Sequence, residues 1–327
     1  MTSNRIKNVA AWAGRGILVL LAAVCMVQRA AADDYPSRPI KFVVPYAPGG
    51  ATDLLGRAMG QKLEQRLRQP VIIENKPGGN TIIGGQVVLN APADGYTLLY
   101  IGGSSMTTVF NKTVPFDLLK DFVPIVSLYQ GPYILFVNAA LPVNTYQEFV
   151  AYAKANAGKL NYGSAAPSAM LSMEAFKARA GIDLVHVPYK GSAPTTAALV
   201  ANEVQAAFDN PVTYLPHVKA GRLRAIGVGG ARHSSLLPDV ALIPDGYPGF
   251  QTVFNGGLWA AARTPKDIVD RLNREMNAIV VLPDIQERVA ATGAYSPGGS
   301  PEDFRRIIQA ELEFYGTAAR QSGYKPE

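Results

Sequence analysis

Residues 45–53 read Pro45-Tyr46-Ala47-Pro48-Gly49-Gly50-Ala51-Thr52-Asp53, and this stretch decides the fold. An apolar run at 40–44 precedes it, and leucine or methionine recurs every four residues after it, at positions 55, 59, 63 and 67. The pattern predicts a strand, a glycine-rich loop and a helix, with Thr52 as the helix N-cap. Helix starts present free backbone N–H groups that attract anions. The stretch therefore indicates an anion site, although a plain strand-to-helix turn fits the same residues.

Strand-like runs alternate with helix-like segments along most of the chain. The runs are at 71–75, 96–101, 160–163, 184–187, 204–208 and 223–228. Residues 123–137 are interpreted as two strands separated by a break at 129–132, and residues 257–262 as another strand. Alternation with short loops indicates mainly parallel sheets with helices on both faces, so the predicted fold class is α/β.

The C-terminal part of the chain predicts three helices, at 265–281, 283–292 and 301–321. Each has a proline at its first position, which is favourable there because that N–H has no helical partner. Thr264 and Ser300 are the expected N-caps of the first and last helix. The last helix carries an amphipathic face at positions 304, 307, 308, 312, 314 and 315, which we expect to pack against another element.

The first 32 residues have the pattern of an export signal. A basic start precedes an apolar run at 16–27, and Ala30-Ala31-Ala32 fits a small-residue cleavage site near Ala32. Four of the 31 basic residues and none of the 25 acidic ones lie in this leader, so the remaining 295 residues have a net charge of only +2. That balance gives no electrostatic reason to expect nucleic-acid binding. The single cysteine, Cys25, also lies in the leader, which excludes disulfides from the mature chain.

Enzyme signatures are few. The three histidines form no metal-binding motif, and His186 lies in an apolar strand where we expect a satisfied core residue. Ser104 and Ser105 are potential nucleophiles, but no base is tied to them by sequence. We expect no enzymatic activity, no metal and no cofactor. A periplasmic hydrolase that uses Ser104 or Ser105 is the least favoured alternative.

Small, hydroxyl-rich loops follow several of the predicted strands. They lie at 46–53, 102–108 and 164–168, with a further polar corner at 209–211. Ligands of open α/β sheets bind beyond the carboxyl ends of the strands, which is where these loops would lie. Two of these segments come from each half of the chain, so the sequence predicts a ligand cleft between two lobes. A charged Asp53 would repel an anion, so its carboxylate is expected to face its own backbone amides or a ligand hydroxyl.

Motifs spread over nearly all of the mature chain resemble one family, the periplasmic substrate receptors of tripartite tricarboxylate transporters, called Bug-type receptors. The motifs are Tyr-Pro-Ser-Arg-Pro-Ile at 35–40, Pro-Gly-Gly-Ala-Thr-Asp at 48–53, Glu-Asn-Lys-Pro-Gly-Gly at 74–79, Ala-Asp-Gly-Tyr-Thr-Leu-Leu at 93–99, Tyr-Gly-Ser at 162–164, Val-His-Val-Pro-Tyr-Lys-Gly-Ser at 185–192 and Phe-Asp-Asn at 208–210. Together they are highly specific, whereas each motif alone is weak.

The resemblance implies a type II periplasmic-binding-protein fold with two α/β lobes. Lobe 1 would comprise 33–131 and 232–327, and lobe 2 would comprise 132–231. It also implies that a small carboxylate binds between the lobes and that the loaded receptor docks onto a membrane permease. Carried over position by position, the ligand-binding residues would be Tyr46, Ala47, Gly49, Gly50, Asp53, Ser104, Ser105, Ser164, Ala165, Ser168 and Asp209.

The third loop departs from the family pattern. It reads Ser-Ala-Ala-Pro-Ser at 164–168, where the family commonly has Ser-x-Gly-x-Gly, and Met106 adds an apolar side chain in the second loop. A ligand with an apolar or aromatic middle is therefore expected about as much as citrate is. A monomer is expected, and a ligand-responsive signalling partner in the periplasm is the alternative role.

Overall fold

The computed structural model describes residues 35–46, 48, 51–78, 81–101, 112–189 and 191–325. The predicted site residues Ala47, Gly49, Gly50, Ser104 and Ser105 lie outside these ranges, as does the proposed export signal. Within the described part, the strands form two five-stranded sheets. The predicted α/β class is confirmed.

The first sheet takes strands from both ends of the chain. Its strands are β1 (Ile40–Val44), β2 (Val71–Asn75), β3 (Thr97–Ile101), β4 (Phe122–Pro132) and β10 (Val253–Ala261). They lie in the order β2-β1-β3-β10-β4, and β10 is antiparallel to both of its neighbours. Four strands of this sheet therefore run in one direction and one runs in the other.

The second sheet repeats this arrangement with the middle of the chain. Its strands are β5 (Ile134–Asn138), β6 (Asn161–Ser164), β7 (Val185–Pro188), β8 (Ala206–Asp209) and β9 (Leu223–Val228). They lie in the order β7-β6-β8-β5-β9, with β5 antiparallel to both neighbours. The strand β6 therefore occupies the place in the second sheet that β1 occupies in the first.

Helices cover both faces of each sheet. They are α1 (Ala51–Leu67), α2 (Ile82–Leu89), α3 (Leu118–Asp121), α4 (Tyr146–Ala155), α5 (Pro167–Ala180), α6 (Ser192–Val200), α7 (Leu215–Lys219), α8 (Lys266–Val280), α9 (Pro283–Ala290) and α10 (Pro301–Ser322). Alternate residues of β1 show the layering, because Phe42 packs with the side chains of α1 and α8 whereas Val43 packs with those of α2 and α10. Such two-sided burial explains why the strands are almost continuously apolar.

The last helix, α10, packs against the cores of both sheets. Phe304 and Ile308 join the core beside Trp259 of the first sheet, whereas Tyr315 and Ala318 join the core of the second. Its start has a capping box in which the Ser300 hydroxyl accepts from the Asp303 N–H and the Asp303 carboxylate accepts from the Ser300 N–H. The expected cap at Ser300 is confirmed, and the predicted amphipathic face connects the two halves of the molecule.

Two segments cross between the sheets. Tyr133 alone separates β4 from β5, and residues 229–252 connect β9 to β10. The two crossings are hydrogen-bonded to each other, because the Tyr133 N–H donates to the Thr252 carbonyl at 3.1 Å and the Gly229 N–H donates to the Tyr133 carbonyl at 2.8 Å. Residues 132–133, 229 and 252 meet where the chain passes between the two sheets, and we call them together the crossing segment.

The predicted strand break at 129–132 is wrong. The strand β4 continues to Pro132 and pairs with β10 along its whole length. Proline is tolerated there because β4 is an edge strand and Pro132 is its last residue. Glycine at 131 also fits the pairing, since a Cβ at that position would meet the ring of Phe254 on the neighbouring strand.

Three smaller local predictions also fail. The helix α1 begins at Ala51, so Thr52 is its second residue and not its N-cap. The helix α8 begins at Lys266, so its N-cap is Pro265 and not Thr264, whose N–H instead closes a tight turn to the Ala261 carbonyl at 2.9 Å. His186 is exposed and not a core residue, since β7 is an edge strand in which three of the four residues are exposed.

Candidate functional site

A cleft of about 240 Å³ lies between the two sheets at the positions where several strands end. It is bounded by the loop after β1, the start of α1, the crossing segment, the start of α5 and the corner after β8. The described residues that line it are Tyr46, Thr52, Leu55, Tyr129, Tyr133, Ala166, Ser168, Asn210, Val212, Val253, Phe254, Asn255, Thr292 and Glu311. Both halves of the chain therefore contribute to one cleft.

Two matching pairs of hydroxyl groups tie this cleft to the segment that joins the sheets. Thr52 and Ser168 are the second residues of α1 and α5, the helices that follow the equivalent strands β1 and β6. The Thr52 hydroxyl lies 3.1 Å from the Tyr129 hydroxyl, and the Ser168 hydroxyl lies 2.9 Å from the Tyr133 hydroxyl. Burial raises the pKa of both tyrosines, so both stay protonated. The first helix start is thereby connected to the end of β4, and the second to Tyr133 in the crossing segment.

Asp53 is buried beside the first helix start. Its carboxylate accepts hydrogen bonds from Arg57 Nε at 3.1 Å and Arg57 Nη2 at 2.9 Å, and from Asn75 Nδ2 at 3.0 Å. Asn75 Nδ2 also donates to the Tyr46 carbonyl at 3.0 Å. An arginine one helical turn away therefore balances the carboxylate, which sequence reasoning did not anticipate. Through Asn75, Asp53 helps to hold Tyr46 at the wall of the cleft.

Asp209 is buried at the end of β8. Its Oδ1 accepts from the Asn210 N–H at 2.8 Å and from Asn210 Nδ2 at 3.0 Å, and its Oδ2 accepts from the Tyr214 hydroxyl at 3.2 Å. Burial raises the pKa of this carboxyl from its ordinary 3.8 to about 6, although these donors and Ser192 oppose the rise. Asp209 does not line the cleft. It orients Asn210, which does.

Ser164 and Ala165 lie just before the second helix start. The Ser164 hydroxyl is buried and lies 2.7 Å from His186 Nε2, whose ring stacks on Tyr162 with the centroids 4.9 Å apart. The ring is partly desolvated by these neighbours although the residue is exposed, and this desolvation lowers the pKa of His186, which favours the neutral imidazole. Ala165 is half-buried and precedes Ala166, which lines the cleft. Of the predicted ligand residues that the structure describes, Tyr46 and Ser168 line the cleft directly.

The sequence analysis missed several lining residues, among them the four polar residues Tyr129, Tyr133, Asn255 and Glu311. They come from edge and antiparallel strands, the segment between the sheets and the last helix, to which the rule of parallel strand ends does not apply. Glu311 had a signal, because it lies three residues after Ile308 and four before Tyr315 on the buried face of α10. A carboxylate on such a face requires a polar partner.

A larger groove of about 690 Å³ runs along α10. Its lining includes Arg179, Arg306, Asp303, Glu313 and Thr317. The smaller cleft is the better candidate for the ligand site, because the helix starts and strand ends of both sheets converge on it and not on the groove. Among the described residues, no group of three or more His, Cys, Asp or Glu side chains could hold a metal ion.

The chain resembles curated relatives along nearly its whole length. Residues 55–323 match the family described as tripartite tricarboxylate transporter family receptor, TctC. The chain is 34% identical to a UPF0065 protein from the tcbD-tcbE intergenic region of a Pseudomonas species, over 96% of each sequence. It is 31% identical to protein BugT of Bordetella pertussis, over 94% of this chain and 96% of BugT.

Solved structures show the same likeness. A structure of R. palustris Rpa4515 with adipate has a TM-score of 0.79 and 32% identity, covering 90% of this chain and 100% of the other. A structure of MatC from Rhodopseudomonas palustris with bound malate has a TM-score of 0.73 and 27% identity, covering 87% and 99%. The full-length match, the shared fold and the motifs agree, and the chain belongs to the tripartite tricarboxylate transporter receptor family.

Proposed function

We propose that this chain is a periplasmic receptor that captures a small carboxylate in the cleft and delivers it to the membrane permease of a tripartite tricarboxylate transporter. Lobe 1 would comprise residues 33–131 and 232–327, and lobe 2 residues 132–231. Two relatives in the family hold adipate and malate, which are both small dicarboxylates. The similarity of the whole chain to these proteins supports the same class of ligand here.

The observation that carries the proposal is the convergence of two equivalent helix starts on one cleft. The first turn of each helix has backbone N–H groups without helical acceptors, and these groups bind carboxylates well. Thr52 and Ser168 add hydroxyl groups at both starts. One carboxylate group could thus be bound by each lobe, and closing the lobes around the ligand would be the only mechanical step.

The proposed ligand-binding set keeps the residues expected from the sequence. It comprises Tyr46, Ala47, Gly49, Gly50, Asp53, Ser104, Ser105, Ser164, Ala165, Ser168 and Asp209. Asp53, Ser164 and Asp209 would act by positioning the loops, since each is already hydrogen-bonded to a neighbouring side chain.

Export and partners follow from the same proposal. Cleavage near Ala32 would release a periplasmic monomer, which docks onto the permease after binding its ligand. Among the described residues, no helix is both long and apolar enough to cross a bilayer. The receptor would bind its ligand without altering it.

A thermal-shift screen of residues 33–327 tests the proposal. Succinate, adipate, citrate and terephthalate are each added, and a ligand at a hundred times its dissociation constant should stabilise the protein by about 2.7 kcal/mol. Chromatography of the recovered ligand should show no turnover. Failure of every carboxylate to raise the melting temperature would contradict the proposed ligand class, and a converted ligand would favour the hydrolase alternative.

A further inference from the structure

Asn255 and Glu311 form a buried polar pair in the wall of the cleft. Asn255 lies near the start of β10, and Glu311 lies in the middle of α10. They are 8% and 7% exposed, and Asn255 Nδ2 donates to Glu311 Oε2 at 2.6 Å. Both residues line the same cleft as the two helix starts.

The pair fixes which way the Asn255 amide is turned. A carboxylate only accepts hydrogen bonds, so the NH₂ group of Asn255 faces Glu311 and its carbonyl oxygen faces the other way. This oxygen, Oδ1, is buried and accepts no hydrogen bond from any described residue. Buried acceptors are almost always bonded, and one that lacks a donor is costly. The wall of the cleft therefore contains an acceptor in need of a donor.

The charges of the side chains that line the cleft also favour a hydrogen-bond donor on the ligand. Glu311 is the single acidic side chain among the described residues that line the cleft, and none of those residues is a lysine or arginine. A carboxylate of the ligand would be repelled if it lay against Glu311. A hydroxyl group at that place would donate its one proton to Asn255 Oδ1, and an ammonium group would satisfy Asn255 and also be attracted by Glu311.

We propose that the cleft selects a carboxylate that carries a hydroxyl or ammonium group, and that Asn255 and Glu311 bind this group. The inference rests on the proposed carboxylate-binding function and narrows it. The carboxylate ends of the ligand would lie at the two helix starts, and its donor would face the pair contributed by β10 and α10. Asn255 and Glu311 would then be specificity-determining residues.

Three matched ligands test the inference by isothermal titration. Succinate, malate and aspartate share one four-carbon dicarboxylate skeleton and differ in carrying a hydrogen, a hydroxyl or an ammonium group. We expect malate or aspartate to bind about tenfold more tightly than succinate, because a hydrogen bond to a charged group contributes that much. This comparison uses the unaltered protein, so it does not depend on how a variant folds.

Glu311→Gln should reduce the preference for malate or aspartate over succinate to about twofold. The effect should be larger for aspartate because its ammonium is charged. Glu313→Gln is the matched control, since it makes the same change on the same helix at an exposed side chain outside the cleft. Equal or tighter binding of succinate in the unaltered protein would overturn the inference, as would a preference that survives in Glu311→Gln. Failure of all three ligands to bind the unaltered protein would instead count against the carboxylate-binding function on which the inference rests.

Discussion

Each half of the molecule buries one aspartate beside the cleft, and the two are compensated differently. Asp53 on the first side is held by Nε and Nη2 of Arg57, together with Asn75. Asp209 on the second side is held by neutral donors from Asn210 and Tyr214. The family resemblance placed both residues in the expected ligand-binding set. Their surroundings give one carboxylate a cationic partner and give the other only neutral donors, and burial raises the pKa of the second to about 6.

The largest expected effect concerns Asp209 and pH. Its pKa is higher in the folded protein than in the unfolded chain, so the folded state holds the proton more strongly. The free energy of unfolding should therefore fall as pH rises from about 4 to about 6, by about 3 kcal/mol from this group. Asp209→Asn should remove that contribution. Urea denaturation of both proteins at several pH values measures it, and parallel pH curves for the two would contradict the assigned pKa.

An intermediate effect is expected at Asp53. Arg57→Leu should lower the free energy of unfolding by about 2 kcal/mol, because it removes two donors from a buried carboxylate. Adding Asp53→Asn to Arg57→Leu should restore part of the loss, since the uncompensated charge disappears. Arg66→Leu is the control, because its partner Glu275 is more exposed than Asp53 and the Arg66–Glu275 ion pair should contribute below about 1 kcal/mol. Equal losses in the two single variants would mean that burial of Asp53 does not matter.

The smallest effects are expected at the paired hydroxyl groups. Tyr129→Phe and Tyr133→Phe each remove one hydrogen bond at equivalent helix starts, so each should lower the free energy of unfolding by about 1 kcal/mol. Tyr152→Phe on α4 serves as the control, because no hydrogen bond of its hydroxyl is seen among the described residues. Chemical denaturation would measure all three variants. A loss in only one of the two cleft variants would show that the helix starts are not equivalent.

The fold was largely predictable because its signals are local. The strands at 40–44 and 223–228 agree with the structure at both ends, and Pro167 begins α5 as expected. Apolar runs, prolines and cap residues act within a few positions of the chain. The error at residues 129–132 arose because glycine and proline usually end a strand, whereas here an edge position tolerates them.

The site was less predictable because its contacts join distant parts of the chain. Thr52 and Tyr129 are 77 positions apart, and Asn255 and Glu311 are 56 apart. No spacing rule connects such residues, so the polar wall from β10 and α10 was missed. The pairing of Asp53 with Arg57 could have been predicted from the sequence, because Arg57 lies one helical turn further along the same helix.

The central claim is that a carboxylate binds in the cleft between the lobes. Titrating the ligand into each of two matched variants tests it most directly. Ser168→Phe fills the cleft at the second helix start, whereas Thr317→Phe makes a similar change in the larger groove along α10. Circular dichroism would first establish that both variants fold. We expect Ser168→Phe to abolish binding and Thr317→Phe to leave the dissociation constant unchanged. The reverse result would place the ligand in the groove and contradict the account.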